Sequence, residues 1–132
     1  MRNTQTTLLY RWFDEVWNSG DKNAIDILLA PDLEIHGLVM QPGQKGAEGF
    51  KSFYDSFKSE FHNIVVNVED SISEDDVQAV RTTVNATHTA SNKDVAFTGI
   101  CMARIENGKI AEAWNNFDFL EMYQQLGQSL KA

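Results

Sequence analysis

The stretch AWNNFDFL, residues 113–120, carries one carboxylate, Asp118, where period-two alternation gives way to helical spacing. A carboxylate at such a join has two available roles. It can accept the backbone N–H groups that the first turn of a helix leaves unpaired, which is worth about 1 kcal/mol and is reinforced by the helix dipole. It can also act as a general base where it faces a cavity. The chain's other candidates for proton transfer are three histidines. His62, beside Asn63 between a helix and a strand, has solvent exposure or capping as its default. His88, in ATHTA, shares strand parity with Val80, Thr82, Val84 and Ala86, a mostly apolar face on which a lone histidine is more often a hydrogen-bonded core residue than a catalyst. His36 lies in LEIHG. Together, His36, His88 and Asp118 would make a two-histidine, one-carboxylate metal set, but no local spacing such as HxH supports it, and no metal is expected. There is no glycine-rich phosphate cradle after a strand. The single Cys101 offers neither a CxxC pair nor an internal disulfide, so no cofactor is expected either.

Composition narrows the setting in which such groups act. A chain of 132 residues with 42% hydrophobic side chains supports one core and one domain, residues 1–132. Its net charge of −8, with no basic stripe, argues against nucleic acid and against an anionic membrane surface. The N-terminus MRNTQTTLLYRWFDEV has no sustained apolar run, and no segment approaches bilayer length. The expectation is a soluble cytoplasmic domain.

The elements that must position these residues follow from periodicity. Leu9, Trp12, Phe13, Val16 and Trp17 recur at steps of three and four and predict a helix near residues 5–18, stopped by NSG. Asp21 reads as the N-cap of a second helix near 22–30, which Pro31 ends. LEIHGLVM is extended, QPGQKG is a turn, and Phe50, Phe53, Phe57 and Phe61 predict a third helix over 46–61. Four strands rich in Val, Ile and Thr follow, the last two joined by the type I′ signal Asn107-Gly108. A short helix, FLEMYQQLG, closes the pattern. Helices first and a strand meander afterwards predict an α+β domain with its helices on one face of an antiparallel sheet. Across the Asn-Gly hairpin, residues whose numbers sum to 215 oppose each other. Met102, Arg104, Ala113, Asn115 and Phe117 therefore share one expected face, and Cys101, Ala103, Glu112, Trp114 and Asn116 the other. The hairpin alone does not say which face is inside.

The order helix, NSGD, helix, PDLEIHG, turn, helix and four strands resembles the nuclear-transport-factor-2-like superfamily, in which a curved antiparallel sheet wraps three N-terminal helices around a conical pocket. ATHTA and RIENGKIAEAWNNFDFLEMYQQLG are similar to the SnoaL-like polyketide cyclase branch, and the resemblance covers nearly the whole chain. It implies cofactor-free acid–base chemistry on a small hydrophobic carbonyl compound, an intramolecular aldol-like ring closure. Asp118 would be its acid/base and His88 a second catalytic residue lining the pocket, and His88, His36 and Asn115 would hold carbonyl oxygens. It puts Met102, Asn115 and Phe117 on the inner face, with Trp12, Phe13 and Tyr54 among the walls. It leaves Trp114 to an outer sheet face used for a homodimer. THTASNKDVAF departs from the branch in lacking its usual glycine and in being shorter, which argues against a large polycyclic substrate. Two other chemistries of the superfamily lack their residues. The places of the ketosteroid isomerase tyrosine and aspartate hold Phe13 and Gly37. The Asp-Arg-Asp places of limonene-epoxide-hydrolase-like enzymes hold Thr82, Val84 and Asn115, with Arg81 on the opposite side of its strand. The competing expectation is a non-catalytic domain of the same fold that binds a small molecule or a second copy.

Overall fold

In the computed structural model, residues 7–38 and 43–127 are described. Thr7 opens the first helix among the described residues by accepting the Tyr10 N–H at 3.1 Å. That helix is α1, Leu8–Arg11, and it passes directly into a π-helical segment, Trp12–Asn18. The wider turns close on Ser19 N–H to Asp14 O, five residues apart, at 2.8 Å. They bury Trp12, Phe13 and Val16 together. The start expected at residue 5 lies outside the described residues, as does the part of the QPGQKG turn before Gly43.

The second helix, α2, is shorter than expected, Ala24–Leu28, because Leu29 already pairs with Ile110. Asp21 does not sit at its N-cap; its carboxylate accepts the Asn23 N–H instead, at 3.0 Å, in a turn just before the helix. Pro31, expected to end a helix, lies within strand β1, Leu29–His36. It is tolerated there because β1 is an edge strand, where a missing N–H breaks no ladder. After β1 come α3 (Gly46–Glu60), β2 (Phe61–Glu74), β3 (Val77–His88), β4 (Asp94–Glu106), β5 (Lys109–Phe117) and α4 (Phe119–Gln125).

The five strands form one sheet in the order β1-β5-β4-β3-β2. The four strands of the meander pair antiparallel, as the turn signals predict, and Asn107 and Gly108 take φ of 53° and 76° at the last hairpin. The edge strand β1 is different: it runs parallel to β5. No local turn chemistry announces a pairing between segments about 80 residues apart.

Register irregularities interrupt the ladders of β1, β2 and β5. Extra residues of this kind bend a strand and raise its twist, which curves the sheet around the helices. The one in β5 overturns the expected faces. Glu106↔Lys109 and Ile105↔Ile110 obey the predicted pairing, but Ala111 is left over, and beyond it Arg104 faces Glu112, Met102 faces Trp114 and Cys101 faces Asn115. The inner face therefore carries Cys101, Ala103, Ala113, Asn115 and Phe117, and the outer face Met102, Arg104, Glu112, Trp114 and Asn116. Met102, expected inside, is 41% exposed.

Two glycines make close approaches that a side chain would block. A Cβ on Gly99 would lie 2.1 Å from Phe117 Cδ1, so the Phe117 ring lies directly over the β4 backbone. Gly37, at φ +87°, brings its Cα so near the Asn115 carbonyl that a Cβ would sit 1.8 Å from it. Two side-chain amides then stand in for missing strands. Asn18 both accepts the Val66 N–H (2.7 Å) and donates to its carbonyl (2.8 Å). Gln125 does the same for Ala96, at 2.8 and 2.7 Å, which fastens α4 to β4.

Candidate functional site

The helices and the inner sheet face enclose a cavity of about 50 Å³. Its wall is aromatic because the π-helical segment, two helices and the sheet all direct apolar side chains to one place. The π-helical segment supplies Trp12, Phe13 and Trp17, α3 supplies Phe50, Phe53 and Phe57, and the sheet and α4 supply Phe97, Phe117 and Phe119. Most of the rings meet edge-on or tilted, with Trp12–Phe50 centroids 4.8 Å apart, Phe13–Phe117 6.2 Å, and Phe117–Phe119 and Phe97–Phe119 5.9 Å, while Phe53 and Phe57 stack at 6.0 Å. Such pairs add about 0.5–1.5 kcal/mol each beyond area burial. No described residue of the wall is ionisable, and Asn115 is its one side chain that is neither aromatic nor aliphatic. Asn115 Nδ2 donates to the His36 carbonyl at 3.0 Å, tying the wall to β1. Beside it, Cys101 is buried, and desolvation pushes its thiol up to about 12.

The structure brings four of the expected site residues to this cavity: Trp12, Phe13, Asn115 and Phe117. Five others stand elsewhere. His36 is on the outer sheet face, since Leu33 and Ile35 take the inward positions of β1; its ring stacks on Trp114 at 5.6 Å, and Nε2 lies 2.8 Å from Glu112 Oε2. Met102 is outside because of the bulge at Ala111. Tyr54 is 2% exposed and serves as a strut: its hydroxyl donates to the Val16 carbonyl at 2.9 Å and receives Lys58 Nζ at 3.3 Å, outside the cavity wall. His88 ends β3 away from the wall, with Nδ1 2.7 Å from Ser91 Oγ, Nε2 3.8 Å from Glu60 Oε1 and its ring beside Phe61. Asp118 is exposed and caps α4, Oδ1 accepting the Glu121 N–H at 3.0 Å, although its neighbours Phe117 and Phe119 both line the cavity.

His36, His88 and Asp118 are thus not gathered into one site. The trio whose ligand atoms do converge, within 4.8 Å among the described residues, is Glu34, His36 and Glu112 on the outer face. There Arg104 Nε, 3.7 Å from Glu112 Oε1, already supplies a positive charge. His62, exposed and 3.0 Å from Thr89 Oγ1, stays outside the wall as expected. Arg81 also lies outside, paired with Asp70 at 2.9 Å, and β3 and β4 pair without interruption. The epoxide-hydrolase arrangement is therefore not formed. Sequence reasoning missed Phe97 and Phe119 as wall residues. Phe97 shares inward parity with Val95, Gly99 and Cys101, a signal that was present but unused; Phe119 is simply the residue after the cap.

The arrangement defines an α+β protein of the ketosteroid-isomerase-like fold. A protein of that fold from Catenulispora acidiphila superposes with a TM-score of 0.81 at 15% identity, covering 96% of each chain. Residues 7–126 match the SnoaL-like polyketide cyclase family, and the chain belongs to it. IdmH, a proposed polyketide cyclase from Streptomyces antibioticus, is 27% identical with a TM-score of 0.79, over 92% of this chain and 96% of that one. A proposed polyketide cyclase from Bacillus cereus is likewise 27% identical with a TM-score of 0.79, over 91% and 78%. No curated protein is significantly similar in sequence. Among the described residues, no helix is long and apolar enough to cross a membrane.

Proposed function

We propose that the chain is a cofactor-free enzyme of the cyclase or isomerase kind, acting on a small and mainly apolar carbonyl compound. The observation that carries this reading is the position of Asp118 between two cavity-wall residues, Phe117 and Phe119. The apolar body of the substrate enters the aromatic cavity, and its reacting end stays at the rim beside the carboxylate. One carboxylate oxygen is engaged by the Glu121 N–H; the other is left to take a proton from a carbon flanked by carbonyls. The resulting enolate attacks an internal carbonyl, and the Asp118 proton passes to the new alkoxide. General base catalysis of this kind is worth about 10²–10⁴-fold. A cavity of about 50 Å³ is small against the roughly 300–1,000 Å³ of drug-sized sites, which favours a small substrate over a polycyclic one.

A second reading is favoured by the absence of any ionisable side chain among the described wall residues: a binding domain without catalysis, in which Asp118 only caps. Two substitutions separate the readings. Asparagine is itself a good N-cap, so Asp118→Asn keeps near-wild-type stability in both, while Asp118→Ala loses about 1 kcal/mol. The catalytic reading further expects wild type to accelerate deuterium exchange at the α-carbon of aryl ketones such as α-tetralone, and Asp118→Asn to lose at least about 10²-fold of that rate. Exchange no faster with wild type than with Asp118→Asn, across aryl ketones shown to bind, overturns the catalytic reading.

We propose in addition that two copies pair through the outer sheet face, where Ile100, Met102 and Trp114 stand 56%, 41% and 36% exposed on neighbouring strands. Apolar side chains so grouped are uncommon on a monomer's surface.

A further inference from the structure

The cavity wall is unequal in its hydrogen-bonding chemistry. Its aromatic and aliphatic residues bring no side-chain acceptor; Trp12 and Trp17 bring indole N–H groups, which only donate. Asn115 is the exception. The leftover residue at Ala111 turns it inward between Ala113 and Phe117, opposite Cys101. The two ends of its amide are told apart by one contact: Nδ2 donates to the His36 carbonyl at 3.0 Å, an arrangement in which the carbonyl end could not stand. No hydrogen bond to a described residue engages Oδ1. A ligand acceptor can be met by an indole, whereas a ligand donor has one side-chain partner in the wall.

We infer that Asn115 makes the cavity selective for ligands that carry a hydrogen-bond donor, an O–H on an otherwise apolar ring or enol, with Asn115 Oδ1 receiving the proton. This rests on the reading of the cavity as a ligand site. It reverses the polarity expected of Asn115, which would hold a carbonyl oxygen only if Nδ2 were released from His36. For the proposed chemistry it sets the pose: the hydroxyl or enol end of the substrate lies beside Asn115, and the carbon that loses its proton lies beside Asp118.

Phenol and toluene test this, because they are nearly isosteric and differ in the donor. Binding is followed by ¹H–¹⁵N chemical-shift titration of the full chain, including the Asn115 side-chain NH₂ pair. Wild type is expected to bind phenol about tenfold more tightly than toluene, the upper range of one net hydrogen bond. In Asn115→Leu the preference for phenol is lost, since its O–H proton then sheds water without gaining a partner. Asn115→Asp keeps an acceptor and should keep the preference for phenol even if anchorage to β1 weakens. Toluene binding wild type as tightly as phenol overturns the donor selectivity and leaves the cavity as a ligand site. Neither compound binding at millimolar concentration overturns the ligand site itself and the selectivity with it.

Discussion

Replacing Gly99 by alanine is expected to destabilise the protein, against the usual trend. The residue is in extended backbone within β4, where alanine meets no conformational penalty, and a compatible Gly→Ala change ordinarily gains about 0.4–1 kcal/mol through the unfolded chain. Here the added methyl would stand 2.1 Å from Phe117 Cδ1, 2.5 Å from Cε1 and 2.8 Å from Cγ. The Cγ contact means that rotating the ring cannot relieve it; the whole side chain must shift, and Phe13 and Phe119 pack against that side chain. Overpacking of this kind costs typically about 1–3 kcal/mol. For 132 residues the unfolding entropy is roughly 0.28 kcal/mol/K, so the melting temperature should fall by about 4–11 °C. Urea unfolding followed by circular dichroism reads the loss directly. In a Phe117→Ala background, which has no ring to strike, the same Gly99→Ala change should be neutral or stabilising. A neutral or stabilising Gly99→Ala in the wild-type background would mean that Phe117 does not lie over Gly99, and the inner face assigned to β5 would be wrong.

Alkaline pH should expose the buried thiol. Cys101 is raised from 9.0 to about 12 by burial, so the unfolded state loses its proton first; stability present below pH 9 is lost as pH rises towards 12, by about 4 kcal/mol in all. Tyr123, raised by burial and by the charge of Glu60, acts in the same direction, and Cys101→Ala should flatten only the cysteine's share of the fall; an unchanged slope refutes the assignment. Pairing through the outer sheet face predicts a sedimentation mass twice 14.9 kDa at micromolar concentration and a monomer for Trp114→Glu. A wild-type mass near that of the single chain ends that proposal.

Much of the fold was legible because local signals and the global arrangement agree. The spacing of Trp12, Phe13, Phe50 and Phe57 marks helix faces, and Asn107-Gly108 marks the hairpin with the backbone angles its residues favour. What was not legible depends on partners distant in sequence. LEIHGLVM reads as extended, but the strand's start at Leu29, before Pro31, and its parallel place beside β5 follow only from that distant pairing. The site suffered from a single residue: Ala111 has no chemistry to flag it, yet it moves Met102 out and leaves Asn115 opposite Cys101. For His36 only the resemblance implied an inner place, and β1 instead turns Leu33 and Ile35 inward and its histidine out. Of the two roles the sequence offered Asp118, the cap is formed, while its exposed carboxylate lies outside the cavity wall between two residues that line it.

The two outer strands of the sheet are guarded by unlike devices. On β1, Pro31 has no N–H to offer an incoming strand. On β2, two register irregularities bend the fourteen-residue edge, and the Asn18 side chain already occupies both backbone groups of Val66. An edge left open is a template on which another chain can add itself, and repeated addition builds fibrils. Here the sheet is finite by construction. Both devices work against lengthening the sheet one strand at a time, and neither obstructs a meeting of two copies across its face.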